Sequence, residues 1–271
     1  MNDPESELTR KQRREQARDE RRAMEEANAA QASQRKRLIQ LGGAAAVVIV
    51  IIAIIVIATG SGGSKTAPAP KSAAATAASA AVISELQGIP QSANTLGNPS
   101  APVTLVYYGD LECPFCKQFT LTALPSIIQK DVRTGKAKIQ YRSMQTATRE
   151  KEIFQTQQTA ALAAGKQKHM WDYVELFYHE QGEEGSGYVT ESYLQGLASQ
   201  VPGPFNLSQW SSDRNNPAYA NEVIADAQSA NQNGFTGTPS FLIEKAGSAP
   251  KKLENPSLTD PKGIEEAIEK A

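Results

Sequence analysis

The stretch Val103-Thr104-Leu105-Val106-Tyr107-Tyr108-Gly109-Asp110-Leu111-Glu112-Cys113-Pro114-Phe115-Cys116-Lys117-Gln118-Phe119-Thr120-Leu121-Thr122-Ala123-Leu124 decides how the rest of the chain is read. Its opening, Val103 to Tyr108, is a short β-branched and aromatic run of the kind a buried strand uses. From Lys117 onward the spacing is helical, with Phe119, Ala123 and either Ile127 or Leu124 on one face. Cys113-Pro114-Phe115-Cys116 therefore sits at a strand-to-helix junction.

That placement suits thiol chemistry. Unpaired N–H groups and the macrodipole at a helix N-terminus favour an anion, so the first sulfur can exist as a thiolate near neutral pH. Two intervening residues let the second sulfur reach the first: Cys113 exchanges through a mixed disulfide, and Cys116 resolves it. Pro114, in the first turn, gives up no helical hydrogen bond. Phe115 supplies no imidazole beside the thiolate. Two other uses of a Cys-x-x-Cys pair are weaker. Zinc would need a second pair, and the chain has only two cysteines, with His169 and His179 ten positions apart, outside finger spacing. A purely structural disulfide closing so small a loop would constrain the unfolded chain little. Redox chemistry at Cys113 and Cys116, with no metal and no cofactor, is the reading the pattern favours.

Far downstream, Gly237-Thr238-Pro239-Ser240-Phe241-Leu242-Ile243 sets a proline immediately before a strand-like apolar run. Proline is tolerated at a strand's first residue, and an X-Pro bond in a tight turn can be cis. Between the two motifs, Lys138 to Arg142 reads as a strand. Arg149 to Gly165, Met170 to His179, Thr190 to Ser199 and Ala218 to Asn231 alternate apolar and polar residues at helical spacing. The chain returns to strand at Ser240 to Glu244 and closes with an amphipathic helix from about Pro261 to Ala271.

Taken together, Leu96 to Cys116 and Gly237 to Phe241 resemble the DsbA-like thiol:disulfide oxidoreductases, particularly their membrane-anchored bacterial members. The resemblance covers residues 84–271. It implies an α/β thioredoxin fold with a helical domain inserted over about 146–232. It also implies a cis proline at Pro239 beside the cysteines, Cys113 as nucleophile, Cys116 as resolving cysteine, and Thr238 as the residue whose backbone meets a substrate strand. Implied partners are the thiols of unfolded or folding secreted proteins and a membrane redox partner that recycles the cysteine pair.

The N-terminal third has a different character. Leu38 to Ala58 (LIQLGGAAAVVIVIIAIIVIA) carries no charge. At 1.5 Å rise per residue it makes a helix of about 31 Å, the thickness of a hydrocarbon core. Arg35, Lys36 and Arg37 abut it on the N-terminal side, so residues 1–37 are expected in the cytoplasm and the remainder outside. Residues 1–37 are expected to form a charged tail, 38–58 a single transmembrane helix acting as signal-anchor, 59–83 a flexible Gly/Ser/Ala/Pro linker, and 84–271 the extracytoplasmic domain.

The overall balance of 28 Lys+Arg against 29 Asp+Glu hides this division. The tail is weakly basic at +2 and the outer domain acidic at −5. Neither suggests a nucleic-acid partner.

The leading expectation is a membrane-anchored enzyme that donates disulfides to secreted or envelope proteins. A reductase or isomerase kept reduced by a membrane electron donor, and a non-catalytic tethered peptide-binding module, are the alternatives. Several residues call for a plainer reading. His169 and His179 read as exposed helix-end residues, and Trp171, Tyr173, Phe177 and Tyr178 as core. For Asp110 and Glu112 two readings stand open: carboxylates that raise the Cys113 pKa, or residues that merely flank the loop.

Overall fold

The computed structural model describes residues 73–271. The expected cytoplasmic tail 1–37, the apolar span 38–58 and the tether up to residue 72 lie outside the described residues. Among the described residues no helix is long and apolar enough to cross a membrane.

The frame is a six-stranded sheet of order β1-β2-β4-β3-β5-β6. Its centre is β3 (Val103–Gly109), parallel to β4 (Ala137–Ser143) and antiparallel to β5 (Ser240–Lys245). Short strands β1 (Gln91–Ser92), β2 (Thr95–Leu96) and β6 (Lys251–Lys252) extend the two edges. Both faces of β3 are buried, which is why its sequence is a continuous apolar run rather than an alternating one. Leu105 and Tyr107 point into the main core, whereas Val106 and Tyr108 meet Met144, Ala230, Phe235 and Leu242 on the other face.

Tyr107 is the hub of the central packing. It pairs across the sheet with Tyr141 and Phe241, its ring stacks on Phe241 at 5.5 Å, and it meets Phe119 and Tyr141 edge-on. Gly109 ends the strand where a Cβ would come within 2.8 Å of the Tyr141 ring. Only glycine lets the chain leave β3 at that point without displacing the ring.

Helices cover the sheet. α2 (Pro114–Thr122) follows β3 directly, and after α3 (Leu124–Ile127) and a π-helical turn over Ile128–Val132 the chain enters β4. The block between β4 and β5 has helices and no strand: α4 (Lys151–Lys166), α5 (Met170–His179), α6 (Glu191–Ala198) and α8 (Pro217–Gln232), which the spacing predicts, and α7 (Leu207–Asp213), which it does not. The closing helix α9 is Lys262–Glu269, with Ile264 and Ile268 buried. The architecture is thus an α/β thioredoxin fold with a helical insertion.

One expectation changes. Residues 59–83 read as a flexible linker, yet its last part belongs to α1 (Ala73–Leu86), a helix that packs on the domain. Ala75, Ala78, Val82 and Leu86 are buried at helical spacing. The apolar stripe is present, but alanines drawn from an alanine-rich background do not stand out as a face.

Candidate active site

The junction legible in the sequence is the one the structure shows. Cys113 is the N-cap of α2, with extended backbone (φ −72°, ψ 120°), and Pro114 occupies the first turn. Both cysteines are free. Cys116 is fully buried, Cys113 nearly so, and Phe115 stands 60% exposed between them. The Thr238–Pro239 bond is cis. As a thiol, Cys113 donates from Sγ to the Thr238 carbonyl at 3.4 Å. The two motifs, 125 residues apart, therefore meet at the Cys113 sulfur. Phe115, Thr238 and Pro239 line a shallow groove of about 380 Å³, completed by Phe235 and the Lys252 to Leu258 segment.

The two sulfurs have opposite environments. The Cys113 thiol is lowered from 9.0 to about 6, chiefly because its anion accepts a hydrogen bond from the Cys116 thiol. The Thr238 hydroxyl and the backbone N–H groups of Cys116 and Phe115 assist, against the cost of burial. Those N–H groups are orphan donors of the α2 N-terminus. Burial pushes the Cys116 thiol well above its ordinary range, and its neighbour Cys113 adds to this. One sulfur is thus poised as a thiolate and the other as its hydrogen-bond donor.

The loop that carries the cysteines is held from two sides. Asp110, fully buried, accepts from the backbone N–H groups of Thr146, Ala147 and Thr148 through Oδ2, each at 2.9 Å. Its Oδ1 accepts from the Thr148 hydroxyl at 2.6 Å and from Glu112 N–H at 3.1 Å. On the opposite side, Gln181 Nε2 donates to the carbonyls of Leu111 at 2.7 Å and Cys113 at 3.2 Å. Lys117 Nζ in turn donates to the Gln181 carbonyl at 3.2 Å. Glu112 is buried beside the site, and that burial raises its carboxyl pKa.

Of the two readings left open for Asp110 and Glu112, the geometry favours loop architecture. Asp110 is occupied by main-chain donors, and the largest influences on Cys113 are its hydrogen bonds and its burial. Thr146 and Gln181 are the residues that sequence reasoning did not place around the cysteines. Their only signal is polar residues at loop ends, which many surface turns share.

The histidines are helix-end residues but not exposed ones. His169 stands at the N-cap position of α5, its Nδ1 2.7 Å from the Asp172 carboxylate, and its side chain keeps only 17% exposure. His179, in the last turn of α5, is half-buried, which lowers its pKa, as does the nearby Lys117 charge. Trp171, Tyr173, Phe177 and Tyr178 are all core. Among the described residues no cluster of three His, Cys, Asp or Glu is placed to hold a metal.

A family model described as Thioredoxin matches residues 91–260. The chain belongs to the thioredoxin family. Within it, the chain is 22% identical over 155 residues to the probable disulfide bond formation protein D of Bacillus anthracis, covering 55% of this chain and 68% of that protein. It is 25% identical over 182 residues to disulfide bond formation protein D of Bacillus subtilis, covering 65% of this chain and 75% of the relative. Among solved structures, oxidised BdbD from Bacillus subtilis superposes with a TM-score of 0.56 at 23% identity, over 69% of this chain and 97% of that one. Wolbachia pipientis α-DsbA1 gives 0.53 at 20%, over 68% and 91%. The fold is a DsbA-like member of the family, and its activity is that of a thiol:disulfide oxidoreductase.

Proposed function

We propose that this oxidoreductase works outside the cytoplasm, tethered by residues 38–58, and forms disulfides in secreted or envelope proteins through its Cys-Pro-Phe-Cys pair. The observation that carries the direction of the reaction is the asymmetry of the two sulfurs. A Cys113 thiol lowered to about 6 stabilises the reduced pair. Stabilising the reduced form makes the disulfide form a better oxidant.

In the reaction, a substrate thiolate attacks Cys113 Sγ of the oxidised pair. The Cys113–Cys116 bond breaks, and Cys116 leaves with the electron pair and takes up a proton. The second substrate thiolate then attacks the substrate sulfur of the mixed disulfide and releases Cys113 as thiolate. Two electrons pass from substrate to the pair, and a membrane redox partner removes them. Thr238 and Pro239 border the groove in which a substrate strand would lie, and the exposed Phe115 ring gives it an apolar wall.

The test is a Cys116→Ala variant of the full chain, which should accumulate mixed disulfides through Cys113. If none is trapped, the assignment of the two roles fails. A reduction potential for the pair near the thioredoxin value of about −270 mV would reject the oxidase direction in favour of a reductase.

A further inference from the structure

β4 ends at Ser143, and the chain turns through Thr146, Ala147 and Thr148 before α4 begins at Lys151. This turn is fixed far more firmly than its exposure requires. Asp110 takes all three of its N–H groups. The Thr148 hydroxyl, besides donating to Asp110, accepts from Gln157 Nε2 at 2.6 Å. The Gln145 side chain donates to the Thr148 carbonyl at 2.9 Å. The product of this anchoring is one outward contact: Thr146 Oγ1 lies 2.5 Å from Thr238 Oγ1.

We propose that Thr146 is a positioning residue for the reactive sulfur, acting through Thr238, with Asp110 as the anchor that places it. The proposal rests on the assignment of Cys113 as nucleophile. A hydroxyl has one proton and two acceptor sites. Thr238 meets the reactive sulfur through its carbonyl, at 3.4 Å from Cys113 Sγ, and its hydroxyl favours the Cys113 thiolate; with its proton turned to the thiolate, that hydroxyl's oxygen can only accept, and Thr146 is the hydroxyl in contact with it. Thr146 then fixes the Thr238 rotamer, and as donor in a two-bond chain it strengthens the bond to the sulfur. In the thiol form the same register presents the Thr238 carbonyl to Cys113 Sγ.

The titratable groups about the site are Cys116 and Lys117 on α2, Asp110 and Glu112 on the preceding loop, Lys252 and Glu254 across the groove, and His179, beside Lys117, at the end of α5. Gly234 to Ser240 contains none, and a change at Thr146 alters none of them.

The experiment is the pH profile of Cys113 alkylation by iodoacetamide in the reduced, detergent-solubilised full chain. Thr146 is exposed, so Thr146→Val leaves the core untouched. It should raise the midpoint by about half a pH unit, the lower range of one hydrogen bond. Thr146→Ser should restore it. Thr238→Val should shift the midpoint at least as far, and the double variant should match Thr238→Val alone. A Thr146→Val profile superimposable on the parent overturns the inference, as does a shift that adds in full to that of Thr238→Val. Either result leaves Cys113 as nucleophile, whereas failure of Cys116→Ala to trap a substrate rejects that assignment and the inference with it.

Discussion

Where helix α1 packs on α5, two carboxyl groups are buried with no salt-bridge partner among the described residues, and this makes the domain's stability depend on pH in a calculable way. Glu175 is fully buried with both oxygens unpartnered, and Glu85 Oε1 is likewise buried without a partner. Burial raises the Glu85 pKa from 4.5 to about 7. Glu175 is held well above the carboxylate range by burial first, then by the charges of Glu85 and Asp172.

Because the folded carboxyls hold protons that the unfolded ones release, stability is full below about pH 4.5 and declines as pH rises towards 7. For Glu85 alone, the span from 4.5 to about 7 at about 1.4 kcal/mol per pH unit amounts to about 3 kcal/mol. Glu85→Gln keeps the shape and abolishes the ionisation. The variant and parent should have similar stability near pH 4.5, and the variant should be more stable by up to about 3 kcal/mol near pH 8.5. Urea unfolding of the reduced, detergent-solubilised chain, followed through the buried Trp171 and Trp210, reads this difference directly. Equal stability differences at both pH values would refute the argument. Other carboxyls raised by burial, such as Asp226 at about 6, cancel in the comparison.

Three further outcomes follow from the same structure. Cys113 should alkylate with a midpoint near pH 6 while Cys116 reacts only on unfolding; a Cys113 midpoint in the ordinary thiol range of about 8.5 contradicts the assigned hydrogen bonds. Asp110→Ala strips the acceptor from four backbone N–H groups and one hydroxyl. At about 1–3 kcal/mol for each buried donor left bare, less whatever water recovers, the loss in urea unfolding should exceed about 3 kcal/mol, and a loss below about 1 would show that the turn is held by something else. Phe241→Ala removes a fully buried ring packed 4.7 Å from Phe119 and 5.5 Å from Tyr107; it should cost about 3–5 kcal/mol in the same assay, and a near-neutral result would place the core elsewhere.

What could be read of the fold from sequence depended on whether an element's own side chains carried its burial. β3 was legible because both of its faces are covered and it had to be apolar throughout. α5 was legible to the residue because its ring-bearing positions recur at helical spacing, and α4 and α8 within two residues at each end. The β1–β2 hairpin was not, since its two-residue strand Thr95–Leu96 owes its place to pairing with β4, and Gln91–Ser92 in turn to pairing with Thr95–Leu96. α7 was missed for a related reason. Its seven residues are anchored by Trp210, whose Nε1 donates to the Ala160 carbonyl at 2.8 Å, and Leu207 at its start remains 41% exposed.

The site divides along a similar line. Cys113 and Cys116 announce themselves because exchange between two sulfurs demands short spacing and a helix start, both local properties. Thr238 and Pro239 are 125 and 126 positions from Cys113, and no local pattern says that they return to it; a resemblance supplied that link. Thr146, which joins Asp110 to Thr238, lies beyond both routes, since its contacts span 36 and 92 positions and use ordinary polar residues. This bears on the carboxylates ahead of the cysteines. Proximity in sequence suggests that they oppose a thiolate, and free carboxylates would. Five donors spread the Asp110 charge over the peptide dipoles of two loops, while burial moves Glu112 toward its neutral form. The helix terminus, the Cys116 thiol and the Thr238 hydroxyl then act on Cys113 without effective opposition from the residues that precede it.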